Sequence, residues 1–310
     1  VSAAVRFERP VPDAADARAA LRTARDLLRW SVTRMTAAGV AFGHGTDDPW
    51  DEAAWLVLWS LRLPLEPLEP VLDARLTSAE IDAAIALVER RCQERMPAAY
   101  LTGEAWLRGV RFLSDPRALV PRSPIAELLD TDALEPWLPD TPGIGRVLDL
   151  CTGGGSLAIL AARSFPSADV VGADLSAEAL ALAADNVSLH GLGDRVSLRR
   201  GDLWRAVEGE TFELIVCNPP YVNDGSMATL PTEYRQEPQQ ALGGGADGMD
   251  LVRAIVGGAR AHLAPGGVLV LEIGHEASHF EAAFPGLTFT YLPTEGGDER
   301  VVLLEHAALP

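Results

Sequence analysis

The sequence has no apolar run that approaches the roughly 20 residues a membrane-spanning helix needs. Its first residues, VSAAVRFERP, hold no apolar signal-peptide segment. Low-complexity tracts and CxxC pairs are also missing. Cys92, Cys151 and Cys217 lie far apart, which speaks against cysteine-bound zinc and against a dithiol redox motif. These absences predict a soluble chain in a reducing, cytoplasmic setting. Positive charge is scarce too: 26 basic against 44 acidic residues give a formal net charge of −18. Gripping nucleic acid needs clustered cations facing phosphates, so no direct DNA binding is expected, and no membrane contact. The same acidity, besides serving solubility, would draw a basic protein and speed its arrival.

What is present is ample for a core. The 310 residues, 48% of them apolar, suit one large domain or two ordinary ones. Residues up to about 100 read as helices. In AADARAALRTARDLLRWSVTRM, Leu21, Leu28, Val32 and Met35 recur at helical spacing. DPWDEAAWLVLWSLRL opens on acids and stops before Pro64. TSAEIDAAIALVERRCQERMP places Thr77 and Glu80 in capping-box register and stops at Pro97. YLTGEAWLRGVRFLSDPRALVPRSP then turns to extended segments around Gly109, a β-hairpin. The proline-flanked DALEPWLPDTPGIG marks the approach to a second domain.

From Arg146 the pattern alternates. VLDL, DVVGAD, VSLRRGD, FELIVC and GGVLVLEIG read as strands separated by helices such as SAEALALAADNVSLHG and GMDLVRAIVGGARAHLAPGG. That predicts an α/β fold with a parallel, doubly wound sheet. LTFTYLPTEGGDERVVLLEH differs, reading as a C-terminal hairpin around Gly296-Gly297-Asp298. A parallel sheet closed by an antiparallel last strand suggests the Rossmann-like class I methyltransferase arrangement of seven strands, an expectation that leans on fold analogy.

Strand VLDL runs through Asp149 into Cys151, Thr152, Gly153, Gly154 and Gly155, a turn where backbone can approach a ligand. DVVGAD ends at Asp174, at the distance along the chain where an acid meets ribose hydroxyls; Leu175 follows. Asp202 closes VSLRRGD and could meet an adenine amino group, with Leu203 packing on the ring. Three strand ends in succession, each with a polar group, point to a nucleotide-like ligand: NAD or S-adenosylmethionine. GGG in place of GxGxxG tilts the choice to the methyl donor.

FELIVC ends in CNPPY, and two consecutive prolines cannot continue a ladder because neither donates an N–H. The Pro219 carbonyl and the Asn218 side-chain oxygen are two acceptors at a fixed angle, with Pro220 adding rigidity and the Tyr221 ring beside them. Such a set suits an –NH2 on a planar carbon, whether a carboxamide or the exocyclic amine of adenine. Binding both N–H bonds can aim the nitrogen lone pair at an electrophile while the ring stacks on the plane. No metal site is expected. His275-Glu276-Ala277-Ser278-His279 matches HExxH, but it follows directly on a strand, so its first residues fall in a turn rather than on one helix face. His44 reads as a capping or core histidine.

DLCTGGG, GADLS, RGDL and NPPYV together resemble the protein glutamine-N5 methyltransferases that modify ribosomal proteins and release factors. LLRWSVTRM, GHGTDDPWDEA, AYLTGEAW, LVPRSPIAEL, LPTEYRQEPQQAL and DGMDLVRAI resemble its PrmB branch, which acts on large-subunit ribosomal protein uL3. PRSPIAEL and GHGTDDPWDEA are the stretches that separate this branch from the release-factor enzymes. The resemblance covers nearly the whole chain. It implies methyl transfer from S-adenosyl-L-methionine to a glutamine side-chain nitrogen, leaving S-adenosyl-L-homocysteine. It places Cys151 to Gly155, Asp174, Asp202 and Asn218 at the donor and Asn218 to Tyr221 at the amide. Arg122 and Glu237-Pro238 form a secondary, substrate-side set. The implied domains are a helical substrate-recognition domain over 1–100, a β-hairpin linker over 101–122 and the methyltransferase domain over 123–310. Glutamine methylation of release factors and, more remotely, DNA adenine N6-methylation are the alternatives. Two departures from the family pattern are Gly154, where a serine is usual, and the histidines of IGHEASH.

Overall fold

The computed structural model describes residues 10–11, 13–138 and 144–310. Residues 1–9 of the N-terminal stretch and residues 139–143 of the proline-flanked stretch lie outside the described residues. The chain divides into two compact units, one ending at Thr102 and one beginning at Gly103. The hairpin expected as a linker therefore groups with the second unit.

The first unit holds α1 (Ala14–Ala20), α2 (Ala24–Ala37), α3 (Pro49–Ser60), α4 (Ser78–Glu94) and α5 (Ala98–Thr102). The run through Leu21 to Met35 is broken between α1 and α2, because Thr23 caps α2. Its hydroxyl accepts from Asp26 N at 3.2 Å, and the Asp26 carboxylate accepts from Thr23 N at 3.0 Å. The box expected at Thr77 and Glu80 also forms. The sequence has no lysine, so cations in ion pairs are arginines. Arg91 on α4 donates to Glu52 on α3 at 2.7 Å with both side chains fully buried, and it also donates to the Ala41 carbonyl at 2.8 Å. His44 is buried.

The second unit opens with the hairpin β1 (Glu104–Leu107) and β2 (Val110–Leu113), then α6 (Ile125–Leu129). The alternating part follows as β3 (Arg146–Leu150), α7 (Ser156–Ser164), β4 (Asp169–Asp174), α8 (Ala177–Leu189), β5 (Val196–Arg200) and β6 (Phe212–Cys217). It continues through α9 (Asp224–Thr229), α10 (Asp250–His262), β7 (Leu263–Glu272), α11 (Ala277–Ala283), β8 (Thr290–Leu292) and β9 (Val301–Glu305).

Seven strands form one sheet in the order β5-β4-β3-β6-β7-β9-β8, and β9 runs antiparallel to both its neighbours. This is the class I methyltransferase arrangement that the sequence led us to expect. Leu148, Leu150, Ile215 and Leu269 face one apolar layer with α10, and Val147, Leu214, Val216 and Val268 face the other with α6 and α7. One detail departs from expectation. LAPGG, read as the end of a helix, belongs to β7: Leu263 turns extended and pairs with Phe212 before a register shift. Pro265 limits the helix here, since it disfavours helical backbone at Ala264 and has no N–H to continue the helical bonding, so α10 ends just short of it.

Strand order reverses between β3 and β6, the switch point at which open α/β sheets form their ligand crevice. Leu150 and Cys217 are paired there, so the glycine turn and NPPY leave the sheet from adjacent points.

Candidate active site

The glycine turn is held from within. Thr152 N donates to the Ala173 carbonyl at 2.9 Å, Gly155 N to the Thr152 carbonyl at 2.9 Å, and Gly153 N to Asp174 Oδ2 at 2.9 Å. Gly155 sits at φ +82°, and a Cβ there would lie 3.1 Å from Ala183 Cβ, so the turn and the packing of α7 on α8 both need glycine. Cys151 is one of the few non-glycine residues at positive φ. Asn186 on α8 ties the turn to the hairpin: it donates to the Gly154 carbonyl at 2.9 Å and accepts from Leu113 N at 2.7 Å.

This internal bonding tests the ligand. A diphosphate would need the amides of the turn as free donors, yet those of Thr152, Gly153 and Gly155 are already committed. The side chains at the strand ends are acids, which suits a cation such as a sulfonium. Asp174 also accepts from Ser176 N at 2.8 Å, and the next residue, Leu175, is 61% exposed beside it. An exposed leucine next to a carboxylate fits a flat ring whose ribose the carboxylate holds. Asp202 is exposed at the end of β5, and Leu203 follows at φ +47°, partly buried. Thr152, Gly153, Gly154, Asp174, Leu175, Asp202 and Leu203 together fit S-adenosylmethionine better than NAD.

Asp149 is placed differently from expectation. It is fully buried, with Oδ2 accepting from Thr152 Oγ1 at 2.5 Å and Ala158 N at 2.8 Å. It holds the turn from beneath rather than facing a ligand. Burial pushes its carboxyl up to about 7, against the two hydrogen bonds, and the Asp174 charge adds to the rise. The folded chain therefore keeps a proton that the unfolded chain has lost, so this contribution is full at low pH and fades as pH rises to about 7. Urea unfolding checks it: the wild-type midpoint should fall relative to that of Asp149→Asn as pH rises from about 4 to about 7.

At the end of β6, neither the Asn218 side chain nor the Pro219 carbonyl has a hydrogen-bond partner among the described residues. Tyr221 donates its hydroxyl to Glu272 Oε1 at 2.7 Å, and Glu272 Oε2 accepts from Ser123 Oγ at 2.5 Å. Burial raises the Tyr221 phenol well above its ordinary value, and the Glu272 charge adds to it. Burial also raises Glu272, against the bonds from Ser123 and Tyr221 and the charges of Arg122 and Arg300.

Arg122 and Glu237 are brought together. The guanidinium donates to both carboxylate oxygens at 2.6 and 2.8 Å, and Glu237 Oε1 also accepts from Val120 N at 3.0 Å. The Arg122 guanidinium also lies 5.5 Å from the Tyr234 ring centroid. Burial works most strongly against the Arg122 charge, but the charge and hydrogen bonds of Glu237, with Tyr234 and Tyr221, together outweigh it and raise the arginine above its ordinary value. Glu237-Pro238 thus fastens the chain after NPPY to the segment 120–122.

His275 and His279 of the HExxH segment do not sit on one helix, because α11 begins only at Ala277. Glu276 accepts from Asn223 Nδ2 at 2.7 Å and contacts His279 Nδ1 at 2.5 Å, bracing the chain two residues past NPPY. Among the described residues no group of three or more His, Cys, Asp or Glu could hold a metal. Sequence reasoning missed Glu272 and Ser123. Glu272 had a signal, since it is an acid ending a buried strand, as Asp174 is.

The Methyltransferase small domain family model matches residues 130–234. The chain is 55% identical to the ribosomal protein uL3 glutamine methyltransferase of Bordetella pertussis, covering 93% of this chain and 97% of that protein. It is 54% identical to the protein of the same name in Burkholderia pseudomallei, over 93% and 96%. To that of Neisseria meningitidis serogroup B it is 49% identical, over 93% and 95%. Among solved structures it is similar to the Thermus thermophilus 16S rRNA N2 G1207 methyltransferase, with a TM-score of 0.45, 24% identity, and coverage of 65% and 49%. At this identity over nearly the full length of each curated relative, the chain belongs to the ribosomal protein uL3 glutamine methyltransferase family.

Proposed function

We propose that this protein methylates the side-chain amide nitrogen of a glutamine in ribosomal protein uL3. The observation that carries the reading is the pair of acceptors, Asn218 and Pro219, unpartnered among the described residues and leaving the sheet at the switch point beside the glycine turn. S-adenosyl-L-methionine, when bound, supplies a methyl group on a cationic sulfur. Asp174 holds the ribose hydroxyls, Leu175 and Leu203 flank the adenine, and Asp202 receives its amino group. Asn218 Oδ1 and the Pro219 carbonyl accept the two N–H bonds of the glutamine amide. That pair draws the nitrogen out of the amide plane and frees its lone pair, while the Tyr221 ring packs on the carboxamide. The nitrogen takes the methyl as the methyl–sulfur bond breaks to leave a neutral thioether, and then sheds one N–H proton to solvent. Fixed geometry is the main source of rate, because reacting atoms held in line replace a costly bimolecular encounter.

The formal charge of −18 supports a basic acceptor protein, and encounter should slow as salt is raised. A ribosomal protein as acceptor places the work in the cytoplasm. Among the described residues no helix is long and apolar enough to cross a membrane. The helices up to about residue 100 would recognise the acceptor. Incubating the chain and methyl donor with unmodified uL3, a release factor and duplex DNA tests the reading. One methyl per uL3 and none on the others is expected; methylation of the release factor alone would move the chain to the sister activity.

A further inference from the structure

We propose that Glu272 is a positioning residue for methyl transfer: with Ser123 it sets the plane of the Tyr221 ring. The inference rests on the proposed amide site, in which that ring packs on the acceptor. Glu272 closes β7, and Leu271 just before it is paired with Cys217. Its carboxylate therefore emerges at the same sheet edge as NPPY, on the neighbouring strand.

Three features make this an anchor for the ring rather than a chance contact. Both carboxylate oxygens are engaged, one by the phenol and one by the Ser123 hydroxyl, with Glu272 5% exposed. Both hydroxyls donate to the carboxylate, so each hydroxyl hydrogen points at it. A neutral partner would leave each hydroxyl free to reverse. The ring is also closed in along its edge. A Cβ on Gly274, two residues past Glu272, would lie 2.3 Å from Tyr221 Cε2, and one on Gly248 would lie 2.2 Å from the Tyr221 carbonyl oxygen. Those contacts bring β7's exit and the 244–248 loop against the tyrosine, leaving the phenol bond to fix the tilt.

A charge is an expensive way to hold one phenol. Burying a carboxylate disfavours its ionised form, and the Glu272 carboxyl is raised accordingly. A stabilising role alone is met as well by a neutral acceptor, whereas fixing two hydroxyls at once is not. Ser123 lies in PRSPIAEL, so the same carboxylate couples that segment to the ring the acceptor would meet.

Steady-state kinetics with uL3, donor binding, and fluorotyrosine NMR together test this. Tyr221→Phe and Glu272→Ala should each lower kcat by about 10-fold, and Ser123→Ala by about 3-fold, with the donor Kd unchanged within about 2-fold. The double variant Tyr221→Phe/Glu272→Ala should be no slower than either single variant within about 2-fold, because both remove one interaction. Glu272→Gln keeps one acceptor oxygen but puts an NH2 donor where the other stood, so it should lower kcat by about 3- to 10-fold, between Ser123→Ala and Glu272→Ala. Losses that multiply, or a donor Kd that weakens in step with kcat, would overturn the proposal.

The chain has four tyrosines, so the fluorotyrosine resonance of Tyr221 can be assigned by its loss in Tyr221→Phe. It should be narrow in wild type and shifted or broadened in Ser123→Ala and Glu272→Ala. An unchanged resonance contradicts the proposal whether or not uL3 is methylated, whereas an inert wild type with the expected resonances counts against the acceptor reading alone. If Glu272→Ala does not fold, Ser123→Ala and Glu272→Gln decide the matter.

Discussion

Asn218→Ala should reduce kcat for uL3 by about 10²–10³-fold while the donor still binds, the scale seen when one preorganised hydrogen-bonding group is removed from a reacting centre. The expectation follows from how β6 ends. A strand cut off by two prolines leaves the Pro219 carbonyl and the Asn218 side chain without partners among the described residues, so both stay available to an acceptor. Losing the side-chain oxygen leaves one N–H of the amide unbound and its nitrogen planar. Asn218→Asp keeps an oxygen but adds a charge beside a sulfonium, which should favour donor binding over turnover. Isothermal titration with the donor and turnover with uL3 separate the two effects. Equal losses in both would assign Asn218 to donor binding alone.

Asp174→Ala should raise the donor Kd by about 100-fold or more, since hydrogen bonds to a charged group are worth about 1.5–3 kcal/mol each. The carboxylate carries two loads. It holds Gly153 N and Ser176 N, and so shapes both the turn and the start of α8, and its outward side is placed for ribose hydroxyls. Asp174→Asn keeps one acceptor oxygen and should fall between. Titration of donor into each variant measures this, and a Kd within about 3-fold of wild type in Asp174→Ala would remove Asp174 from the donor site.

The parts of the site legible in the sequence are those that are local along the chain. DLCTGGG, GADLS and NPPYV each fold as a strand end and the turn after it, so the residue types near one another in sequence remain near one another in space. What escaped is long-range. Ser123 meets Glu272 across 149 positions, and Arg122 and Glu237, which the resemblance groups without pairing them, form an ion pair across 115. Nothing in the spacing of either pair announces the contact. Gly248 reads as no more than the first residue of the stretch GMDLVRAIVGGARAHLAPGG, yet a side chain there would strike the Tyr221 backbone. Asp149 was legible as an acid beside the turn but not as a buried one, because the hydrogen bonds that sink it come from Thr152 and the start of α7. The break before α2 was readable after all: Thr23 and Asp26 stand in capping register, and a local cap outweighed the helical spacing that runs across it.

The most direct test of the account is tandem mass spectrometry of unmodified uL3 after incubation with this chain and a methyl donor carrying a deuterated methyl group. The account predicts a single deuterated methyl on the side-chain nitrogen of one glutamine, absent with Asn218→Ala. A label on an arginine, a lysine or the chain terminus, or a glutamine label undiminished in Asn218→Ala, would contradict it.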